Sequence, residues 1–485
     1  MITEALLGLI FVPLLAACAL VLLPRRAAFV PVALTLILLP ALLALLTLGV
    51  SQAGIVAYEM AAVSAPLGIR LIADPLAIVL LWTATLVAVL AGVHAFEGFP
   101  PGSETGRRFW PLWLVLMGAI NAALLSADLF NLYITLELLT VAAIALIAIE
   151  GQPDALRAAM RYLLLAVTGS LVYLFGVGLV YANHGMLDLH QLAEIAGGDA
   201  STRTALALMS VGLLVKAGIF PLHVWLPGAH GNAPGPVSAM LSAVVVKVAI
   251  YALYRIWLWT GANIEWQAAG TLLGLLGAGA ILFGSLLALF QSRLKMVIAY
   301  STVAQLGYLM LVFPLASVQA YRGVIYQVLA HGLAKAALFL AAANIMHCLG
   351  TDHLRRMSRI DADMPLQLFI FGLAGISIMA LPPSGGFLAK WMLLSAAWQQ
   401  QAWGWMALIL AGSLLAAAYI YRVLALIFFR AKTEPARPLQ DQPGRAASLS
   451  ALMLAILAIA VGFLSSPILE LIDSGLPPAI APGAP

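Results

Sequence analysis

Ionisable side chains lie deep inside apolar stretches of this chain. Residues 215–247 (VKAGIFPLHVWLPGAHGNAPGPVSAMLSAVVVK) carry a lysine at each end, Lys216 and Lys247, with four prolines, two histidines and four glycines between them. An apolar helix tolerates neither such charges nor so many helix-breaking residues. The segment therefore predicts a broken membrane helix with an ionisable group on each side of the break.

Five ionisable residues are expected near the middle of a bilayer. Counted at about 1.5 Å per residue from the start of each apolar run, Glu137, Lys216, Lys247 and Lys335 lie roughly 14 to 18 Å deep. The hydrocarbon core is about 30 Å thick. Lys390 lies a few residues after a second helix break. Each charge would cost at least about 3 kcal/mol against lipid. A structural ion pair explains any one of them, whereas five at one depth favour a row of titratable sites along a hydrated path.

These residue types suit proton transfer. Burial makes a lysine easier to deprotonate, and a neighbouring carboxylate opposes that effect. Glu137 is the acid placed deep in a span, so we expect it to pair with one lysine and to titrate with it as a unit. His331 and Lys335 are four residues apart, on one helix face, which favours a relay. His223 and His230 flank Trp225-Leu226-Pro227, and either line the mouth of the path or bond carbonyls freed by the break.

The sequence offers little that would hold a cofactor. Cys18 and Cys348 lie in apolar runs without CxxC spacing, so we expect buried small side chains. This excludes haem, iron–sulfur and structural zinc sites held by cysteine. We expect no cofactor, no metal and no nucleic-acid partner. The first apolar run, 5–23, lacks a preceding basic region and is interpreted as a membrane span rather than a signal peptide.

The elements that position these residues are membrane helices. The chain has 485 residues, of which 63% are hydrophobic and 9% charged, whereas soluble domains are about one quarter charged. A span needs about 20 mostly apolar residues. We therefore predict an all-α polytopic membrane protein. Its fourteen predicted spans are 4–23, 28–50, 72–93, 109–127, 129–149, 158–182, 204–222, 236–259, 267–290, 296–316, 320–348, 365–398, 403–430 and 447–473.

Two of these spans are predicted to be broken. Pro221 and Pro227 interrupt the region of span 7, and Pro382 and Pro383 interrupt span 12. Transporters use broken helices at corresponding positions of two halves. An offset of five spans inverts the topology, so spans 4–8 and 9–13 are predicted to form inverted repeats. The predicted divisions are 1–108 for spans 1–3, 109–260 for the first repeat, 266–431 for the second and 446–474 for the last span.

The distribution of basic residues predicts the orientation. The loops after spans 1, 3, 5, 9, 11 and 13 hold fifteen: Arg25, Arg26, Arg107, Arg108, Arg157, Arg161, Arg293, Lys295, Arg355, Arg356, Arg359, Arg430, Lys432, Arg437 and Arg445. The opposite loops hold four: Arg70, Arg203, Arg255 and Arg322. By the positive-inside rule the first set is cytoplasmic and both termini lie outside.

Several motifs resemble a known superfamily. AYST at 299–302, QLGY at 305–308, HGLAKAALFL at 331–340 and the two breaks resemble the antiporter-like subunits shared by complex I, membrane-bound hydrogenases and Mrp-type Na⁺/H⁺ antiporters. The resemblance implies fourteen spans, inverted repeats and proton transfer along a central hydrophilic axis in a bacterial inner membrane. The proton-transfer positions of the family fall on Glu137, Lys216, Lys247, His331, Lys335 and Lys390.

The resemblance divides between two branches. SADLFNLYITLELL at 126–139 is similar to the D-type subunit of Mrp antiporters, whereas AHGNAPGPVSAMLSA is closer to complex I and hydrogenase relatives. The chain departs from the family in the loop after span 9, where Arg293 replaces the usual acid. The leading expectation is a non-enzymatic, proton-translocating subunit of a Na⁺/proton antiporter, in contact with other membrane subunits and lipid.

Two alternative functions remain open. The first is a proton-pumping subunit in the membrane arm of a hydrogenase or NADH:quinone oxidoreductase. The second is the proton channel of an inorganic-carbon uptake complex. The proteins that co-purify with the chain would separate these alternatives. A stand-alone transporter is disfavoured, because the spans carry no acidic cluster suited to Na⁺.

Overall fold

The structure, a computed structural model, describes residues 1–60, 68–261, 267–357, 364–428 and 442–481. Within these residues, twelve helices are long and apolar enough to cross a membrane. The predicted all-α, polytopic class is confirmed. Non-helical residues separate Ala217 from Leu226, at the end of predicted span 7 and beyond it, and separate Met379 from Gly385, within predicted span 12. The count of fourteen spans and the inverted repeats stay predictions.

The helices of the described residues have the following bounds: α1 (Ile2–Leu22), α2 (Phe29–Ala53), α3 (Pro75–Gly98), α4 (Glu104–Leu125), α5 (Leu129–Ile147), α6 (Pro153–His184), α7 (Leu189–Ile195), α8 (Ala200–Ala217), α9 (Leu226–Asn232), α10 (Gly235–Met240), α11 (Val246–Tyr254), α12 (Gln267–Phe290), α13 (Leu294–Leu309), α14 (Val312–Leu315), α15 (Val318–Leu349), α16 (Pro365–Met379), α17 (Gly385–Gln399), α18 (Trp403–Phe428), α19 (Arg445–Phe463) and α20 (Ser465–Asp473). Two π-helical turns, Leu241–Val245 and Arg255–Thr260, follow α10 and α11, so that Gly235–Thr260 forms one continuous span. Short 3₁₀ turns cover Arg25–Ala27 and Leu354–Arg356.

The two ends of the helix bundle differ in their connections. We call the end with Arg25, Gly102, Glu150 and Arg293 the basic side; there, a side chain added at Gly102 would contact the Arg25 carbonyl. We call the opposite end the terminal side. It carries strands β1 (Val56–Glu59) and β2 (Arg70–Ala73), which pair antiparallel with Val56 opposite Ala73. Bridges from Leu71 to Ser126 and from Asp128 to Asp188 connect the strands with the loops beside α5 and α7.

Polar caps set where several helices begin. Asp74 accepts from the backbone N–H of Ala77 at 2.9 Å at the start of α3. Ser103 accepts from Gly106 at 2.9 Å, so α4 begins at Glu104, before the predicted residue 109. Caps satisfy N–H groups that the first helical turn leaves free.

The long helix α15 lies at the centre of the bundle. It packs against α3, α10, α13, α16, α17 and α19. His331 and Lys335 project from it into the protein interior, 2% and 0% exposed. Because lipid cannot solvate them, these side chains must find hydrogen-bond partners on neighbouring helices or in water.

Several basic residues that were assigned to loops lie inside helices, and two of them are buried. Arg255 lies inside the span Gly235–Thr260 and is only 5% exposed, because Asp74 pairs with it. Lys295 lies in the first turn of α13 and is also 5% exposed. Four predicted loop residues, Arg359, Arg430, Lys432 and Arg437, lie outside the described residues.

Candidate proton pathway

The first helix break places Lys216 at the end of a half-helix. α8 ends at Ala217, and Gly218 adopts a left-handed φ of +66°, which favours glycine. The indole N–H of Trp225 donates to the Val215 carbonyl at 2.9 Å. A cation is stabilised at such a helix C-terminus, where carbonyl groups lack helical partners. Both prolines predicted at this break are there: Pro221 lies between the helices and Pro227 is the second residue of α9.

Lys216 forms an ion pair with Glu137 of α5. The Lys216 Nζ lies 2.7 Å from Glu137 Oε1 and 3.2 Å from Thr140 Oγ1. Ser170 of α6 donates from its hydroxyl to the same carboxylate oxygen. Lys216 is buried, whereas the Glu137 side chain is 26% exposed. The carboxylate thus connects the interior with the outer face of this helix bundle.

Lys247 follows the first π-helical turn. Its Nζ donates to the Ala243 carbonyl at 2.7 Å. Within the described residues, this ammonium has no acid as an ion-pair partner. A side chain added at Gly332 of α15 would lie 3.4 Å from the Lys247 Nζ. Because Gly332 has no side chain, the Lys247 ammonium can approach α15 close to His331 and Lys335.

His331 and Lys335 lie next to this position. The Lys335 Nζ donates to the Ile298 carbonyl at 3.0 Å and to the Ser301 hydroxyl of α13. His331 interacts electrostatically with Lys247, Lys335, Lys390 and His230. Its Nε2 has no hydrogen-bond partner among the described residues. This geometry leaves a ring nitrogen free to exchange a proton with a mobile water.

The second helix break positions Lys390. Pro382 and Pro383 lie between α16 and α17, and Ser384 caps α17 by accepting from Phe387 at 3.2 Å. The Lys390 Nζ donates to the Ile378 carbonyl at 3.2 Å and lies 4.5 Å from the ring centroid of Tyr308. Each break thus has a buried lysine beside it: Lys216 lies in the last turn before the first break, and the Lys390 ammonium bonds the last turn of α16 before the second.

The two predicted mouth histidines have different surroundings. His230 is fully buried, stacks on Phe339 with a 5.4 Å centroid distance, and interacts electrostatically with Lys335. Neither of its ring nitrogens has a hydrogen-bond partner in the described part of the chain. His223 instead packs between Phe220 and Phe283, at 5.6 and 5.2 Å. The structure therefore brings His230, but not His223, to the row of lysines.

A polar cavity opens beside His230 on the basic side. This cavity, the vestibule, has a volume of about 550 Å³, and its lining includes Glu97, Glu150, Asn232, Lys295 and His347. The Lys295 Nζ donates to the Ala233 carbonyl at 2.7 Å. Asn232 is two residues from His230, so the floor of the vestibule adjoins the buried histidine.

A chain of uncharged polar groups extends from the vestibule wall. His94 Nε2 lies 2.8 Å from Asn344 Oδ1, and Asn344 donates to Gln367 at 3.1 Å. Gln367 in turn donates to Ser448 at 2.9 Å. The sequence analysis did not predict this series of hydrogen-bonded side chains. Its only signal was the presence of amide side chains within strongly apolar helices.

A second buried ion pair, also missed, lies on the terminal side. Arg255 makes two hydrogen bonds of 2.6 Å to the carboxylate of Asp74. Its guanidinium lies 4.9 Å from the Tyr251 ring centroid and 4.6 Å from that of Trp259. Bidentate, stacked geometry is typical of a pair that holds elements together.

Comparisons with known proteins give consistent results. A sequence profile described as NADH:quinone oxidoreductase/Mrp antiporter, TM, matches residues 126–417. The chain is 36% identical over 378 residues to the N-type subunit of NADH-quinone oxidoreductase from Desulforudis audaxviator, covering 76% of this chain and 75% of that protein. It is 29% identical over 442 residues to the D-type subunit of the Na⁺/H⁺ antiporter from Alkalihalophilus pseudofirmus, covering 90% and 89%. A chain of the Mrp complex from Dietzia sp. has the same fold, with a TM-score of 0.88 at 24% identity over 98% of this chain and 97% of that chain.

Proposed function

Because the chain belongs to the NADH:quinone oxidoreductase/Mrp antiporter transmembrane family, we propose that it is the proton-translocating subunit of a multisubunit Na⁺/proton antiporter. The family supports the broader part of this proposal, a proton-translocating transporter subunit. The cation, the assembly, the bacterial inner membrane and the cytoplasmic orientation of the basic side are our inferences.

The contact between Glu137 and Lys216 is the observation that carries proton translocation. The two charges are 2.7 Å apart in mid-span, and one partner is partly exposed. A pair with one exposed carboxylate can open and close, since Glu137 can keep its bond to Ser170 while it releases Lys216. Opening the pair frees the lysine to exchange its proton.

The remaining residues supply the path. We assign the vestibule as the proton inlet on the basic side, with Lys295 in its lining and His230 next in sequence to the lining residue Gly231. Lys247, His331 and Lys335 relay protons at the centre, and Lys390 loads or releases them at the second break. A change of charge at one lysine alters the proton affinity of its neighbour, which couples the sites without a large rigid-body motion.

The two helix breaks support a repeated architecture. Lys216 lies in the last turn of α8, and Lys390 donates to Ile378 near the end of α16. In both cases a buried lysine lies next to the break, although the Lys216 ammonium bonds Glu137 and Thr140 rather than a carbonyl group. We propose that spans 4–8 and 9–13 are inverted repeats and that each contributes one such site.

The antiporter assignment rests on the extent of one similarity. The Na⁺/H⁺ antiporter protein of Alkalihalophilus pseudofirmus matches 90% of this chain. Such a protein would function beside other membrane subunits. The 36% identity to the N-type subunit of an NADH-quinone oxidoreductase favours the alternative, a proton-pumping subunit of an oxidoreductase membrane arm. A proton channel of an inorganic-carbon uptake complex is the third alternative.

Proton flux in vesicles containing the purified, assembled complex tests proton translocation. We expect Glu137→Gln to lower the flux at least tenfold. Lys216→Arg should do the same, because arginine preserves the ion pair but does not release its proton. The exposed Glu59→Gln is the matched control and should retain full flux. Full flux in both pathway variants would refute the proposal.

The identity of the complex has a separate test. Mass spectrometry of co-purified chains should find small membrane subunits without redox centres, and the flux should depend on Na⁺. Iron–sulfur proteins among the partners would replace the antiporter assignment with the oxidoreductase alternative. A zinc-binding soluble partner would indicate inorganic-carbon uptake.

A further inference from the structure

A small cavity, lined mainly by apolar surface with a few polar groups, lies on the terminal side, at the opposite end of the protein from the vestibule. Its volume is about 70 Å³, and its lining includes Ser126, His190, Tyr251, Arg255 and Pro478. This space accommodates about two water molecules at about 30 Å³ each. His190 is the residue in this lining whose side chain ordinarily titrates near neutral pH.

One helix face connects this cavity with the central lysines. Tyr251 and Arg255 follow Lys247 by four and eight residues, so the three side chains lie on one face and span about 12 Å along the axis. The Tyr251 hydroxyl donates to the Leu124 carbonyl at 2.6 Å, and Arg255 stacks on its ring. A polar stripe therefore leads from Lys247 to the cavity.

The last described residues cover the cavity. Pro478 forms part of its wall, and the Ala479 N–H donates to the Leu258 carbonyl at 3.2 Å. The preceding helix α20 is held by Arg322, which bonds the Asp473 carboxylate at 2.6 and 2.7 Å. This segment forms one side of the cavity, and the half-buried His190 forms another part of its lining.

Burial and the nearby charges keep His190 in its neutral form. Its pKa is lowered, first by burial and then by the positive charges of Arg70 and Arg255. Asp188 and Asp74 act in the opposite direction. The imidazole is therefore neutral at neutral pH and returns a captured proton readily.

We propose that His190 passes protons between the central lysines and the terminal side through this cavity. The proposal rests on the proposed function and adds an outlet to it. A proton arriving through cavity water binds a ring nitrogen and forms the imidazolium. Loss of a proton to water at the surface restores the neutral ring, so the histidine is unchanged after each passage.

Chemical rescue of His190→Ala tests this role. The assembled complex is reconstituted in vesicles, and flux is driven by a membrane potential with imidazole present equally on both sides. We expect the substitution to lower the flux about tenfold, and imidazole to restore at least half of the loss. Pyrazole, a ring of the same size that is not basic at neutral pH, should restore none. A merely structural role would not distinguish the two rings.

His184→Ala is the matched control. His184 also lies on the terminal side, where its Nε2 bonds the Thr202 hydroxyl at 2.9 Å, but it does not line this cavity. Its variant should retain full flux. Full flux in His190→Ala, or equal rescue by both rings, would overturn the outlet. If Glu137→Gln abolishes flux while His190→Ala does not, only the outlet fails; if Glu137→Gln retains flux, the proposed function itself fails.

Discussion

A single methyl group added to α15 should uncouple the central lysines. In Gly332→Ala, the new Cβ would lie 2.6 Å from Thr83 Cγ2, 3.3 Å from the Ala243 carbonyl and 3.4 Å from the Lys247 Nζ. Carbon atoms normally approach to about 3.5–4.0 Å, so Thr83 or α15 must move by about 1 Å. Overpacking of this kind costs about 1–3 kcal/mol of stability. Gly332 lies where the Lys247 ammonium approaches α15, the helix that carries His331. A shift of Thr83 or of α15 at this position therefore changes the distance between Lys247 and α15.

The functional effect should exceed the stability effect. A misplacement of about 1 Å between reacting groups can lower a rate about a hundredfold. We therefore expect Gly332→Ala to assemble at near-normal levels while proton flux falls at least tenfold. Gly178→Ala is the control, since a Cβ there would contact nothing within 4 Å. Full flux in a correctly assembled Gly332→Ala complex would refute the inference that the Lys247–α15 contact carries protons.

Two further substitutions separate structure from transport. Asp74→Asn leaves Arg255 buried with an uncompensated charge and should destabilise the protein by about 3–5 kcal/mol, seen as a lower melting temperature in detergent. The control is Asp154→Asn, because Asp154 forms an exposed ion pair with Arg157 at 2.7 Å; it should cost less than about 1 kcal/mol, and equal losses would contradict this reasoning. Tyr308→Leu removes an attraction of about 2 kcal/mol for the Lys390 ammonium and should lower proton flux severalfold, whereas Tyr308→Phe keeps the ring and should retain most of it; equal fluxes in the two variants would exclude a role for the ring.

The sequence predicted the buried lysines better than their surroundings. An isolated charge in an apolar run is visible without a structure, because lipid penalises it wherever the helix packs. Glu137 could be proposed as a partner since it was the acid placed deep in a span, and the structure brings it to Lys216. The breaks were also visible, because Pro221 and Pro382 cannot donate helical hydrogen bonds.

Partners far apart in the chain could not be predicted. Asp74 and Arg255 are separated by 181 positions, and Arg255 near the end of a span is typical of a loop charge. Lys295 was assigned to a loop for the same reason. No local pattern indicates that a distant loop or helix will cover such a residue. The positions of His223 and His230 were likewise undecided, because side-chain direction in a broken segment depends on tertiary packing.

The volume of the vestibule has a consequence for the supply of protons. At about 30 Å³ per molecule, 550 Å³ holds about 18 waters. At pH 7 the same volume contains on average on the order of 10⁻⁸ free hydronium ions, far too few to act as a reservoir. Protons must therefore arrive already bound, on buffer molecules or on wall groups such as Glu97, Glu150 and His347. As the proposed proton inlet, the vestibule would collect bound protons, at a rate that depends on surface carboxylates and on the concentration of mobile buffer.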